Sequence, residues 1–519
     1  MTISLVIDLA VLAASVVLLQ AYLGRRVANP SGLPYPPGPK PLPLVGNLFD
    51  APKHDSSKIF SAWGKQYGEL VHMSMFGEHF VIINSLRVAE DLLEKRSKKY
   101  SDKPVIPLIE LTGWDWNLGL LPYGDRWRVR RREIHQQFRA EKVDDYAPVV
   151  MKHAHQLLDN LLNTPANYQS HLKHYVGAVI LKITYDYDVA HEDDRYVYMA
   201  ERAAGIGGTL FVPGGTLANV FPILCHLPAW LPGMEFKRQA EECMKLTTEM
   251  RNMPVEYVKR QMKSGAPSAC VTSELIRRFS NSNGLSTDSE DVIKDVSAVA
   301  YAGGAETTAA SLKTAILIML LHPDATREAQ REIDSVIGNA RLPTLDDRGS
   351  MPYVDAFFRE VLRWHPVTPL SVPRKASEDD VYEGYFIPKG ATVVQNTWAI
   401  HHDEQLYDEP SMFKPERFLE RDGSLSDRYP MTLFGMGRRI CPGRYLADSA
   451  IWAAIALILA VFDIAKAKDE NGRDIEIAEA YTDAIVSHPL PFACSIKPRT
   501  RGAESLVREE AGAVQNGTA

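Results

Sequence analysis

The chain has 519 residues, of which 45% are hydrophobic and 24% charged, the balance of an ordinary globular protein. Its net charge of −7 argues against a general nucleic-acid binder. Five cysteines, at 225, 243, 270, 441 and 494, show neither CxxC nor metal-ligand spacing, which excludes a disulfide scaffold and fits a reducing compartment.

Residues 3–23 are mostly apolar, interrupted by Asp8 and Gln20 and followed by Arg25-Arg26. At about 1.5 Å per residue such a stretch spans a bilayer core of about 30 Å. No basic residue precedes it, and the flank after it is basic, so it reads as a retained anchor rather than a cleaved signal peptide. Arg25-Arg26 stays cytosolic by the positive-inside rule, leaving the N-terminus lumenal. Residues 1–26 are thus expected to form a single-pass transmembrane anchor. Residues 27–47, with Pro34, Pro36, Pro37, Pro39, Pro41 and Pro43, predict a stiff extended strap.

The body predicts a mainly helical fold with small sheets. Phe80–Ile83 reads as a strand, as do Tyr385–Ile387 and Thr392–Val394 across a Pro388-Lys389-Gly390 turn. Helices are expected over Asp291–Leu321, ended by His322-Pro323, over Tyr353–Trp364, ended by His365-Pro366, and over Tyr445–Leu459. Ser280–Ser289 reads as a polar connection on the surface. Residues 501–519 are polar and charged and are expected to be a disordered tail. The sequon Asn516-Gly517-Thr518 within it falls on the cytosolic side, where it stays unused.

Two stretches carry chemistry. Phe434-Gly435-Met436-Gly437-Arg438-Arg439-Ile440-Cys441-Pro442-Gly443 sets a cysteine between glycines at the start of a helix. Backbone N–H groups and the helix dipole there favour a thiolate, which suits an axial ligand of haem iron. Gly437 and Gly443 are expected to allow backbone shapes or close approaches that a side chain would block. The second stretch is Gly303-Gly304-Ala305-Glu306-Thr307-Thr308, inside the long apolar helix. Each glycine costs roughly 1 kcal/mol there relative to alanine. The pair is expected to let the backbone open locally, with Glu306 and Thr307 as a proton-delivery pair. Thr308 reads as a back-bonded helix hydroxyl.

The cysteine stretch resembles the haem-binding loop of the cytochromes P450. The other motifs of that family follow in order: Gly303–Thr308, then Glu360-Val361-Leu362-Arg363, then Pro415-Glu416-Arg417-Phe418. The resemblance implies a cytochrome P450 fold over residues 48–500, with haem b between the long central helix and the cysteine loop. It implies Cys441 as the axial ligand, Phe434 and Gly443 as loop residues against the cofactor, and Trp127, Arg131, Arg374 and Arg439 as propionate contacts. It assigns the first threonine, Thr307, to the relay with Glu306, and Glu360, Arg363 and Arg417 to a buried structural triad. It implies an apolar substrate lined by Leu111–Asn117, Val367–Val372 and Tyr481–Val486. Phe221–Pro232 reads either as an entrance at the membrane surface or as core packing. Arg126, Arg128, Arg130 and Arg132 read either as a solvated face or as a basic patch for an electron donor.

The expected activity is a monooxygenase inserting one oxygen atom from O2 into an apolar small molecule, at the endoplasmic reticulum membrane with the catalytic domain cytosolic. NADPH and flavins enter only through a partner, NADPH–cytochrome P450 reductase. The chain looks like fungal microsomal members of the O-methylsterigmatocystin oxidoreductase-like group, which points to terpenoid or polyketide secondary metabolism. Rival readings are a haem-thiolate isomerase or dehydratase, which usually lacks the acid–threonine pair, and a non-catalytic haem protein.

Overall fold

The computed structural model describes residue 29 and residues 31–190, 193–211, 216–220, 222–265, 269–282 and 284–515. The expected anchor, residues 1–26, lies outside them, as do Phe221 and the sequon at Asn516.

The fold is mainly helical with small sheets, as the sequence predicts. Strands β1 (Leu70–Met75) and β2 (Glu78–Ile83) form a hairpin around Phe76-Gly77. Both turn residues have positive φ, 49° and 88°, the turn whose twist suits paired strands. The sheet is completed by β3 (Arg374–Lys375) and by a later strand, β6 (Thr392–Gln395), which runs parallel to β2 and antiparallel to β3. Between them in sequence, β4 (Asp380–Tyr382) and β5 (Tyr385–Ile387) pair with each other. A last pair, β7 (Phe462–Lys466) and β8 (Cys494–Pro498), closes the chain's C-terminal part.

The strap lies on this sheet region. Residues 33–38 carry neither helix nor strand. The Pro34 carbonyl accepts from Phe386 N at 2.8 Å, and the Pro37 carbonyl from His72 N at 2.9 Å. Between them the Tyr35 ring stacks on His72, centroids 4.8 Å apart. His72 Nε2 and His79 Nδ1 share a 2.9 Å hydrogen bond beneath it.

Eight helices carry the functional argument: α1 (Asp125–Phe138), α2 (Ala147–Asn163), α3 (Tyr168–Tyr185), α4 (Glu235–Lys263), α5 (Thr287–Leu321), α6 (Pro352–Trp364), α7 (Arg444–Val461) and α8 (Arg501–Gln515). The start of α5 precedes the expected Asp291 because Ser286 caps it, accepting from Ser289 N at 3.2 Å. It ends before His322-Pro323, as the proline requires. Helices α5 and α7 are long and apolar enough to cross a membrane, yet 72% and 67% of their apolar windows are buried inside the protein. They form its core, with α5 packed on α3 and α7 on α2.

Asp295, on α5 and fully buried, accepts from Arg130 Nε of α1 and from Arg251 Nε of α4, each at 2.6 Å. Arg130 is therefore an internal ion-pair partner and not part of a solvated basic face, whereas Arg126, Arg128 and Arg132 are exposed.

The expectation of a disordered tail is corrected from Arg501 to Gln515. Ala503, Val507 and Ala511 recur every four residues and put a narrow apolar stripe on one face of α8. That stripe packs on α2, with Val507 and Ala511 buried. The composition is polar, but the spacing is amphipathic.

Candidate active site

A cavity of about 350 Å³ is walled by α1, α3, α5, α7, the 367–374 segment and the loop before α7. Most of its surface is apolar, contributed by residues such as Phe138, Val179, Ile180, Val299, Val367 and Ile451.

Cys441 reaches this cavity from a loop whose shape is set by its neighbours. Its backbone N–H bonds the Phe434 carbonyl at 2.8 Å. Gly437 has φ of 57°, and a Cβ there would stand 2.1 Å from the Leu93 carbonyl oxygen, so no side chain fits. Its N–H is held by Glu94 Oε2 at 2.6 Å. Gly443 needs no special backbone shape, since its φ of −89° suits any residue, which leaves close approach as its role. A Cβ there meets no atom within 4 Å, so what the glycine preserves is open space at the cavity wall. Burial pushes the Cys441 thiol up, while the Gly443 N–H and the guanidiniums of Arg131 and Arg444 act the other way.

Four cations gather at the cavity: Lys103, Arg131, Arg374 and Arg439 all line it. Burial pushes Arg439 down to about 9, helped by Arg374, and pushes Arg374 down to about 10. Lys103 is held well below the usual lysine range by burial, with Arg439 and Arg374 adding to the effect. Arg439 is the best satisfied, donating to the carbonyls of Ser101 at 2.7 Å, Leu121 at 2.8 Å and Leu118 at 3.2 Å, while lying over the Trp127 ring at 4.6 Å. Arg374 Nη2 bonds the Met436 carbonyl at 2.6 Å, but its Nη1 is buried without a partner among the described residues. Neither Arg131 nor the Trp127 indole N–H has a hydrogen-bond partner among the described residues. Uncompensated buried charge of this kind costs several kcal/mol per ion and calls for an anion. Lys103, which donates to the carbonyls of Val372 and Pro373 at 3.1 and 2.9 Å, was not foreseen, since a lone lysine before Pro104 carries no pattern.

Across the cavity, α5 runs unbroken through Gly303-Gly304, which corrects the expected local opening. Gly304 is small because a Cβ would meet Ile180 Cγ1 of α3 at 3.0 Å, whereas Gly303 faces open space. Thr307 lines the cavity and donates its hydroxyl to the Gly303 carbonyl at 2.7 Å, so the back-bonded hydroxyl is Thr307 and not Thr308. Glu306 is not a lining residue: its Oε1 lies 3.4 Å from Nε2 of His488. His488 was also missed, although it stands just beyond the Tyr481–Val486 segment singled out above.

The substrate-lining expectations divide. Val367, Thr368, Ser371 and Val372 line the cavity, as does Asn117. Trp114 and Trp116 instead stack on each other in the core, ring centroids 5.3 Å apart. No residue of Tyr481–Val486 lines the cavity; Tyr481 stacks on His365. In Phe221–Pro232, Ile223 and Trp230 are strongly exposed while Leu224, Cys225, Leu227 and Leu231 pack half-buried against the core, so the stretch serves both surface and packing.

The triad residues meet. Glu360 and Arg363, both fully buried on α6, pair through Arg363 Nε at 2.6 Å and Nη2 at 2.8 Å. Arg417 Nε reaches Glu360 Oε1 at 3.1 Å, and Lys414 N donates to the same oxygen at 2.9 Å. Arg363 Nη1 also holds the His401 carbonyl at 2.7 Å. The segment before the cysteine loop is thus tied to α6.

A family model described as Cytochrome P450 matches residues 36–495. This chain belongs to the cytochrome P450 family. It is 38% identical over 498 residues to a cytochrome P450 monooxygenase of Armillaria gallica, covering 95% of this chain and 97% of that protein. It is 41% identical over 507 residues, 97% of each chain, to a cytochrome P450 monooxygenase of Postia placenta. Its identity to cytochrome P450 monooxygenase claR of Ampulloclitocybe clavipes is 40% over 499 residues, 95% of this chain and 90% of the relative. The P450 is accordingly a monooxygenase that takes a haem-thiolate cofactor, draws electrons from a partner reductase and acts on a small molecule. The cavity fits that cofactor: a half-buried thiol at its wall for the iron, unfilled cationic donors for two propionates, and glycine-lined space for a flat ring.

Proposed function

We propose that this P450 inserts one oxygen atom from O2 into an apolar small molecule of fungal secondary metabolism, a terpenoid or polyketide, with electrons passed from NADPH by NADPH–cytochrome P450 reductase. The observation that carries it is one apolar cavity lined both by Cys441 and by Thr307, from two separate elements.

In this reading Cys441 is the iron ligand, with Phe434 and Gly443 beside it, and Trp127, Arg131, Arg374, Arg439 and Lys103 hold the propionates. When bound, the haem supplies the iron chemistry that reduces and splits dioxygen. The protein's own residues do the rest. The apolar wall takes the substrate and excludes water. Thr307 Oγ1, whose proton is committed to Gly303, keeps lone pairs free to accept from water on the cavity side. Glu306 carries protons towards that hydroxyl from the solvent side of α5. Glu360, Arg363 and Arg417 hold the fold around the cysteine loop and take no part in the chemistry.

Arg128 and Arg438, both exposed and both over the Tyr123 ring at 5.0 and 5.6 Å, offer an acidic reductase a cationic surface next to the cysteine loop. Residues 1–26 anchor the enzyme in the endoplasmic reticulum membrane as a single span, with the body cytosolic. Expression with the reductase, followed by mass spectrometry of candidate apolar substrates, tests the activity. Gain of one oxygen atom that depends on NADPH and O2 is the expected result; turnover supported by peroxide alone, with no reductase, would overturn it in favour of an isomerase. Removing residues 1–26 tests the anchor by release from membranes with haem retained.

A further inference from the structure

Glu306 belongs by sequence to the proton-delivery pair, yet its carboxylate is turned out of the cavity that Thr307 lines. It lies instead against His488, with Oε1 3.4 Å from Nε2, at the long end of hydrogen-bond range. The backbone that carries that imidazole is firmly placed. Its backbone N–H is held by Thr482 Oγ1 at 2.9 Å, and the neighbouring Ser487 hydroxyl bonds the Thr482 carbonyl at 2.8 Å. Ser487 also takes a 2.8 Å contact from His365 Nε2 and gives its own N–H to the Val367 carbonyl at 2.8 Å. His488 Nδ1, in contrast, is buried with no partner, so Glu306 is the only side-chain partner of the ring among the described residues.

The ring nitrogen that faces the carboxylate is Nε2. Lys313, two turns further along α5, is pushed down by burial and by Lys173, while Glu201 and Glu306 act upwards on it.

We propose that His488 is a positioning residue, a latch that holds Glu306 outside the cavity until substrate is seated. The signal has a short path, since Val367 lines the cavity and its carbonyl is bonded to Ser487, next to His488. A substrate pressing on Val367 shifts Ser487 and His488, and the weak 3.4 Å contact is what gives way. Glu306 then turns towards Thr307 and delivers protons only when there is something to oxidise. This rests on the relay reading of Glu306 given above.

The test uses the full-length holoenzyme with reductase and NADPH, first without substrate. With Glu306 latched, dioxygen takes two electrons and two protons and leaves as hydrogen peroxide, one NADPH per dioxygen. With the latch removed, Glu306 supplies further protons, and dioxygen takes four electrons and four protons to give two waters, two NADPH per dioxygen. His488→Ala should therefore lower peroxide per dioxygen by about half or more, a small part of the roughly 10²–10⁴-fold that a general acid can contribute. It should also shift the infrared carboxylate band that is lost in Glu306→Gln, a readout independent of turnover. His488→Gln, whose amide N–H can stand where Nε2 stands, should keep both readouts at wild-type values. If His488→Ala does not fold, His488→Asn, too short to reach the carboxylate, should behave as the unlatched form. Wild-type peroxide yield and an unmoved band in the His488→Ala or His488→Asn enzyme overturn the latch. If Glu306→Gln itself leaves product per NADPH unchanged with substrate present, the relay reading fails instead, whatever His488 does.

Discussion

Thr307 gives its hydroxyl proton to the carbonyl oxygen of Gly303, 2.7 Å away and one turn earlier on α5. The bond uses the only donor of the side chain and leaves the oxygen as an acceptor at the cavity wall. Thr307→Ala removes that acceptor without disturbing the cation cluster or the cysteine loop. Haem content and substrate affinity should stay near wild type, while product formed per NADPH falls by about ten-fold or more and peroxide rises. Thr307→Ser, which keeps the hydroxyl, should recover most of the coupling. Unaltered coupling in both Thr307→Ala and Glu306→Ala would sink the relay.

Cys441→Ser should abolish the red-shifted absorbance of the reduced carbon monoxide complex that thiolate ligation gives. Reduced enzyme under carbon monoxide reads this directly. A band that survives the substitution would remove Cys441 from the iron.

Glu360 receives Arg363, Arg417 and a backbone N–H in a fully buried setting, so removing one partner strands charge. Arg417→Ala should cost about 3–5 kcal/mol and show as low haem occupancy in expressed protein. Arg417→Lys should not restore it, because the guanidinium also holds the carbonyls of Asp408, Glu409 and Met412, and a single ammonium cannot reach that set. Haem-to-protein absorbance ratio and chemical denaturation measure both.

Burial holds His72 neutral, pushed down to about 4, and depresses His79 as well. The unfolded chain protonates these rings near 6.5, so it binds more protons than the folded one between about 6.5 and 4. The stability this gives is present above about pH 6.5 and is lost as pH falls through that window. At pH 5 the loss from His72 is on the order of 2 kcal/mol. Hydrogen-exchange protection of residues 33–38 and 70–75, measured against the intrinsic rate at each pH, should fall on acidification, and His72→Gln should flatten that dependence.

Val507→Asp should undock α8 from α2. A buried valine contributes about 1.5–3 kcal/mol, and an unpaired carboxylate in its place adds to the loss. Exchange protection over residues 501–515 should disappear, with a lower Tm and haem spectra unchanged. Retained protection would mean that the stripe of Ala503, Val507 and Ala511 is not what seats the helix.

Legibility in the sequence followed contiguity. Cys441 could be read because its glycines and arginines are adjacent in the chain, and Glu360 with Arg363 because three residues is a helical neighbour distance. Lys103 and His488 enter the site singly, brought there by segments whose route a linear pattern does not record. Composition misled at α8, where the apolar stripe is made of small residues that barely change the average. It misled again at Gly303-Gly304: flexible residues suggested an opening, but the helix uses them for closeness to Ile180 and for cavity space. The strands at Phe80–Ile83 and Thr392–Val394 were legible, yet β1 and the parallel pairing of β2 with Thr392–Gln395 were not, since that partner is far away in sequence.

Asp295 has a mechanical consequence. A single carboxylate joins α1, α4 and α5 through two 2.6 Å ionic bonds, and Arg130 stands beside Arg131 and within one turn of Trp127. A helix that slid by one residue would move about 1.5 Å and break its bond to that carboxylate. The three helices are therefore keyed in register like gears on one pin. Force applied at the exposed arginines of α1 is carried by a stiff lever to the helix that bears Thr307, and not absorbed in a loop.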